Sequence, residues 1–184
     1  MRFIYCILCF VFVSCSPKKN SQLPENFNKV ISQKSYTLVV SYSNECPVCI
    51  LYTSVLSQII NDLPDSKFQT IFLKVNEDEK WDFIDNHDIF VGEKPKVVVE
   101  NSLDIAKALE VEVFPEVVLL DQKAQILYKG AIDSRVKEIG NTYFRPAENE
   151  EYLKIALKQI QQNQPISIQN YPAKGCYIEF GKKH

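Results

Sequence analysis

Histidine is nearly absent from this chain: His87 and His184 are the only two among 184 residues. A metal centre built on imidazoles therefore has little to draw on. An excess of positive charge is also missing, since 21 Lys and Arg face 23 Asp and Glu. A balance this mildly acidic excludes the basic field that gathers nucleic acid, so no nucleic-acid partner is expected. The apolar run from Phe3 to Val13 is well short of the roughly 20 residues that a membrane-spanning helix needs. No internal repeat is present.

Six cysteines might suggest a disulfide framework, but their positions argue otherwise. Cys6 and Cys9 lie in residues 1–14, where one charge, Arg2, precedes the apolar run. This pattern reads as a signal peptide. It ends in Phe12-Val13-Ser14-Cys15, and a small residue before such a cysteine resembles a bacterial lipobox. The lipobox implies that Cys15 becomes a lipidated N-terminus, anchoring the protein to a membrane on the periplasmic side of a bacterial cell envelope. The alternative is an ordinary cleaved signal followed by an incidental cysteine. Cleavage before Cys15 leaves 20 basic against 23 acidic residues, a charge of −3. Residues 15–34 are mostly polar and read as a tether. The folded domain is expected over 35–184, including a C-terminal extension.

Three cysteines then remain: Cys46, Cys49 and Cys176. An odd number in an exported protein suggests that at least one thiol does more than staple the fold. Thr37 to Ser41 reads as a buried strand. Beyond Cys46, the apolar residues Val48, Leu51, Val55, Ile59 and Leu63 recur at helical spacing, and Pro64 closes the helix. Strands follow at Phe68–Val75 and Lys96–Val99. Between them a short helix from Glu79 to about His87 turns Trp81 and Ile84 inward. Ser102 is placed to cap a helix burying Leu103, Ala106 and Leu109. Glu116–Asp121 and Gln125–Gly130 read as a hairpin. Asn149 is placed to cap a last helix reaching about Gln162, and Cys176–Phe180 alternates like one more short strand. Strands alternating with helices predict an α/β fold with a central mixed sheet flanked by helices.

Cys46-Pro47-Val48-Cys49 carries the strongest chemical signal. It follows a buried strand and opens an amphipathic helix. A thiolate there faces unpaired backbone N–H groups and the positive end of the helix dipole, which lowers its pKa. Proline suits the first helical turn. The spacing lets Cys49 resolve a mixed disulfide formed at Cys46, so Cys46 reads as the exposed nucleophile and Cys49 as the shielded resolving thiol. Half of a zinc site and an inert structural disulfide are the competing readings. For zinc, no second cysteine pair exists and only Cys176 could add a thiolate. Cys176 itself is either a buried small hydrophobe, the preferred reading, or a third redox thiol facing the active site. Arg135 and Arg145 are candidates for holding a substrate anion, although surface arginine is the default.

With Phe114-Pro115 ahead of the strand Glu116–Asp121, the chain resembles the thioredoxin superfamily. Ser43-Asn44-Glu45-Cys46-Pro47-Val48, Tyr128-Lys129-Gly130-Ala131-Ile132-Asp133 and the Gly175-Cys176-Tyr177-Ile178 tail are similar to its redoxin (peroxiredoxin-related) branch. The resemblance implies a thioredoxin-like fold over about residues 36–180 and a cis bond before Pro115. It also implies a backbone at Phe114 exposed to pair with a substrate strand. It further implies a thiol–disulfide oxidoreductase, without cofactor, acting on cysteine-containing exported proteins and served by an envelope thiol–disulfide electron donor. A peroxiredoxin-like hydroperoxide reductase and a catalytically inactive binding module are the alternatives. Val39 stands where peroxidatic sites carry proline, and Val40 where thioredoxins carry a buried aspartate. Glu45 would oppose a Cys46 thiolate if close to it.

Overall fold

The computed structural model describes residues 23–76, 78–81, 90, 95–98, 101–139, 142–144 and 150–180. The signal peptide, Cys15, Arg145, Asn149 and most of the helix expected after Glu79 lie outside these residues.

Strand β1 (Tyr36–Tyr42) lies at the centre, and every residue after Tyr36 is buried. That explains its unbroken apolar run, because a strand covered on both faces has no solvent side to signal. β1 pairs in parallel with β2 (Phe68–Lys74) and antiparallel with β5 (Glu116–Asp121). β3 (Lys96–Val98) extends the β2 edge in parallel, and β6 (Ile126–Gly130) pairs antiparallel with β5. β9 (Asn170–Tyr171) closes the sheet beside β6, in the order β3-β2-β1-β5-β6-β9. The hairpin turn between β5 and β6 is set by Asp121, whose Oδ1 accepts the N–H groups of Lys123 and Gln125, each at 2.8 Å.

Alternation along the strands builds two cores. Leu38, Val40 and Tyr42 of β1 point to one face, where α2 (Pro47–Asn61) and α4 (Tyr152–Gln161) pack. Val39, with Ile71 and Leu73 of β2, faces the other side. There it meets α1 (Glu25–Ile31) and α3 (Ser102–Ala108). On α2 the buried stripe runs through Val48, Cys49, Tyr52, Val55, Leu56 and Ile59. Leu51, expected on that stripe, is instead 39% exposed.

Two expectations are corrected. Residues 23–34 are not a tether: Leu23, Phe27 and Ile31 are buried in the second core and belong to the folded domain. The short run of polar side chains around them hid a one-sided helix. Ser102 is the first residue of α3 rather than its cap, a position taken by Asn101 with φ 59°. The short strand expected within Cys176–Phe180 is present as β10 (Cys176–Tyr177), which pairs with β4 (Val113–Phe114). A further small antiparallel pair, β7 (Lys137–Ile139) with β8 (Thr142–Phe144), follows β6.

Buried Asp133 ties the post-hairpin segment to α2. It accepts the Tyr52 hydroxyl at 2.6 Å and the Arg135 backbone N–H at 2.8 Å. The Arg135 Nε lies 2.9 Å from the same carboxylate, so the buried charge is paired. Arg135 also reaches Glu151 at 3.4 Å. Its guanidinium is thus engaged in holding α4 rather than free for a substrate anion. No helix of the described residues is long and apolar enough to cross a membrane.

Candidate active site

Cys46 is the cap residue of α2, with an extended backbone (φ −89°, ψ 113°), and Pro47 is the first helical residue. The fixed φ of proline starts the helix where its missing N–H is no loss. The Ile50 N–H already bonds the Cys46 carbonyl at 3.2 Å. β1 ends at Tyr42, so this cysteine sits at the carboxyl end of the central strand, reached by the short loop Ser43-Asn44-Glu45.

A residue not anticipated from sequence, Glu79, holds that loop. It is 95% buried by its 5% exposure, and its Oε1 accepts from the Ser43 hydroxyl at 3.2 Å and the Glu45 N–H at 3.2 Å. The Asn44 N–H donates to the same oxygen. The sequence places Glu79 at the start of a short helix, and nothing in the acidic stretch after β2 marks it as a partner of the cysteine loop. Ser43 in turn donates its N–H to Cys49 Sγ at 3.5 Å.

Cys49 is fully buried and is a free thiol. Burial pushes its pKa up to about 12; the Glu79 charge adds to the rise, and the Ser43 N–H works against it. Removing that charge gives a direct check. Glu79→Gln keeps an acceptor oxygen but drops the charge, so reduced protein should alkylate faster at Cys49. The gain should be below about tenfold near pH 10, because burial dominates. Alkylation followed by peptide mapping measures it, and an unchanged or slower rate contradicts the electrostatic assignment.

The Phe114–Pro115 bond is cis. Ser41, the buried polar residue near the end of β1, fixes this corner. Its hydroxyl donates to the Val113 carbonyl at 2.7 Å, and it accepts the Glu116 N–H at 2.9 Å. The corner thereby lies beside Cys46, whose sulfur is 3.3 Å from the Phe114 carbonyl oxygen. That is a contact rather than a hydrogen bond, because this sulfur carries no proton.

Cys46 is bonded to Cys176, across 130 residues, with the two Cα atoms 6.0 Å apart. This corrects two expectations. Cys46 is not an exposed sulfur, since the tail covers it to 2% exposure. Cys176 is not an inert buried hydrophobe. Its strand lies antiparallel to β4, with Cys176 opposite Phe114 and Tyr177 opposite Val113. Beyond it the Ile178 N–H bonds the Glu112 carbonyl at 2.9 Å, and the Ile178 side chain is buried in the second core. Gly175 permits this approach: a Cβ there would overlap the Phe114 carbonyl. Among the described residues, no three His, Cys, Asp or Glu side chains converge as a metal site.

No protein-family model and no curated protein sequence matches the chain. Solved structures do. An uncharacterized conserved protein from Geobacillus kaustophilus superposes with a TM-score of 0.66 at 16% identity, covering 85% of this chain and 82% of that one. A hypothetical protein from Sinorhizobium meliloti 1021 gives 0.62 at 19% identity, covering 82% of each. The thioredoxin domain of a thiol-disulfide oxidoreductase from Bacteroides vulgatus gives 0.44 at 20% identity, over 53% of this chain and 71% of that one. The chain's own topology is the stronger statement. Parallel β1, β2 and β3 lie beside antiparallel β5 and β6, a cysteine motif opens the helix after β1, and a cis-proline precedes β5. By this strand order and these placements the chain has a thioredoxin-like fold.

Proposed function

We propose that the protein is a thiol–disulfide oxidoreductase in which Cys46 exchanges disulfides with cysteines of exported proteins and Cys49 resolves. One observation carries the reading: Cys46 is held in a disulfide against the Phe114–Pro115 corner, with the free thiol of Cys49 one helical turn away. Such a pairing is the product of exchange at Cys46. When the Cys49 thiolate attacks the Cys46 sulfur, the Cys46–Cys176 bond breaks and a Cys46–Cys49 bond forms. The displaced Cys176 sulfur takes up a proton, so the step needs no outside oxidant or reductant. Net turnover then requires an envelope thiol–disulfide partner to accept or supply electron pairs. A disulfide spanning the whole domain fits an oxidising compartment outside the cytoplasm.

The test is an insulin-disulfide reduction assay with dithiothreitol, run as a pH series. Turnover that Cys46→Ser abolishes supports the reading, and no turnover at any pH defeats it. Because the Cys49 thiol is held near 12, its thiolate fraction rises about tenfold per pH unit through neutrality. The internal transfer to Cys49, followed by alkylating released Cys176, should therefore accelerate about a hundredfold between roughly pH 7 and pH 9. A plateau below about pH 8 would mean that Cys49 is not the attacking group.

A lipid on Cys15 completes the proposal, placing the domain on the periplasmic side of a bacterial envelope membrane. Cys15→Ala should shift the protein from the membrane fraction to the soluble one. Mass spectrometry of the native N-terminus should show acylation at Cys15; an unmodified mature N-terminus elsewhere removes the anchor.

A further inference from the structure

The tail that closes the site is itself a cysteine-bearing extended strand joined to the candidate nucleophile. We infer that Gly175–Ile178 is an intramolecular substrate strand, and that the site selects partner segments of the form glycine–cysteine–any residue–apolar residue. This deepens the proposed exchange function and rests on it.

Each position of the rule has its own contact. At the cysteine, the sulfur is bonded to Cys46 and the residue lies opposite Phe114 in the β10–β4 ladder. Immediately before it, the backbone passes so close to the Phe114 carbonyl and the Pro115 nitrogen that any Cβ collides with main-chain atoms, which cannot rotate away. A strand entering in the same register meets the same wall, so the residue before its cysteine must be glycine. The next residue, Tyr177, is 80% exposed and places no demand on identity. The one after it, Ile178, is 6% exposed and packs in the second core, its N–H fixed to the Glu112 carbonyl at 2.9 Å. A charged residue there would lose its hydration without a partner.

The tail and a substrate strand compete for one edge. Transfer of the disulfide from Cys46–Cys176 to Cys46–Cys49 releases the covalent hold on the tail and conserves the number of disulfides. A substrate thiolate can then attack the Cys46–Cys49 bond. In the reducing direction, the Cys46 thiolate attacks a substrate disulfide and expels one of its sulfurs.

The test uses the full chain carrying Cys49→Ser and Cys176→Ser, so that an adduct at Cys46 cannot be resolved and the tail cannot latch. Short peptides with the core Gly-Cys-Tyr-Ile are activated as mixed disulfides with thionitrobenzoate. Attack by Cys46 forms the protein–peptide disulfide and releases the coloured thiolate, which reports the rate, and peptide mapping places the adduct. Rates are normalised to each peptide's reaction with free cysteine. Replacing glycine by alanine, or isoleucine by aspartate, should each slow capture at least about fivefold. Replacing tyrosine by serine should change it less than about twofold. Capture of either the alanine or the aspartate peptide at a rate within about fivefold of the parent overturns the inference. If a small aromatic disulfide still modifies Cys46 in that case, the exchange function stands without the selectivity. If Cys46 reacts with neither reagent while circular dichroism shows a folded protein, both readings fall.

Discussion

Cys46→Ser is expected to reduce disulfide exchange to the uncatalysed background, whereas Cys49→Ser combined with Cys176→Ser is expected to trap it. The two cysteines differ in position by one helical turn, and the consequences differ in kind. Cys46 caps α2 and already forms the bond against the Phe114–Pro115 corner. Without its sulfur no mixed disulfide can form at the site. Cys49 is buried beneath, with its thiol held near pKa 12, and serves only to attack an existing bond. Its loss together with that of Cys176, whose thiol otherwise re-forms the bond to Cys46, leaves the first step intact and removes the second, so covalent protein–substrate species should accumulate. Non-reducing gels with peptide mapping distinguish the outcomes. Equal trapping by either variant, or trapping through Cys49 alone, contradicts the assignment of roles.

A second large effect is expected in stability. The Cys46–Cys176 bond closes a loop of 130 residues, and loop-closure entropy puts its contribution at about 5 kcal/mol. Cys176→Ser should therefore lower unfolding free energy by roughly 2–5 kcal/mol in denaturant titrations. Gly175→Ala retains every cysteine yet should give much of the same loss. Its Cβ meets the Phe114 carbonyl, so β10 cannot sit on β4 and Cys176 is carried away from Cys46. Since both changes remove one contact, the double variant should be scarcely worse than either single one. Gly175→Ala protein that keeps the 46–176 crosslink and the parental midpoint would show that the tail docks in some other way.

The sequence was most legible where one residue type has one physical use. The run Thr37–Ser41 signalled a strand buried on both faces, and the spacing after Cys46 signalled an amphipathic helix begun by Pro47. The paired runs Glu116–Asp121 and Gln125–Gly130 signalled a hairpin, whose turn the Asp121 side chain sets in the fold. Helix α1 is hard to read from sequence because only Phe27 and Ile31 of its length are buried, amid polar neighbours that read equally well as a tether. Leu51 lies off the buried stripe because positions at intervals of three and four drift around the helix, and Tyr52 and Leu56 take the inner positions.

For the site, the sequence by itself determined the chemistry that is available: two cysteines at a helix start, a proline ahead of a late strand, and one distant thiol in a short alternating tail. These are local features, set by residues adjacent in the chain. Which thiols meet was decided only by tertiary structure, because pairing depends on distances between segments that are far apart in sequence. Closing β10 onto β4 brings Cys176 within bonding distance of Cys46 across 130 residues, and Gly175 makes that approach sterically open. The same closure converts Cys46 from an exposed sulfur into a covered one. Glu79 and Ser41 gained their roles in the same way. Each is an ordinary polar residue until the fold places it beside backbone groups that need a partner, in the cysteine loop and at the cis-proline corner respectively.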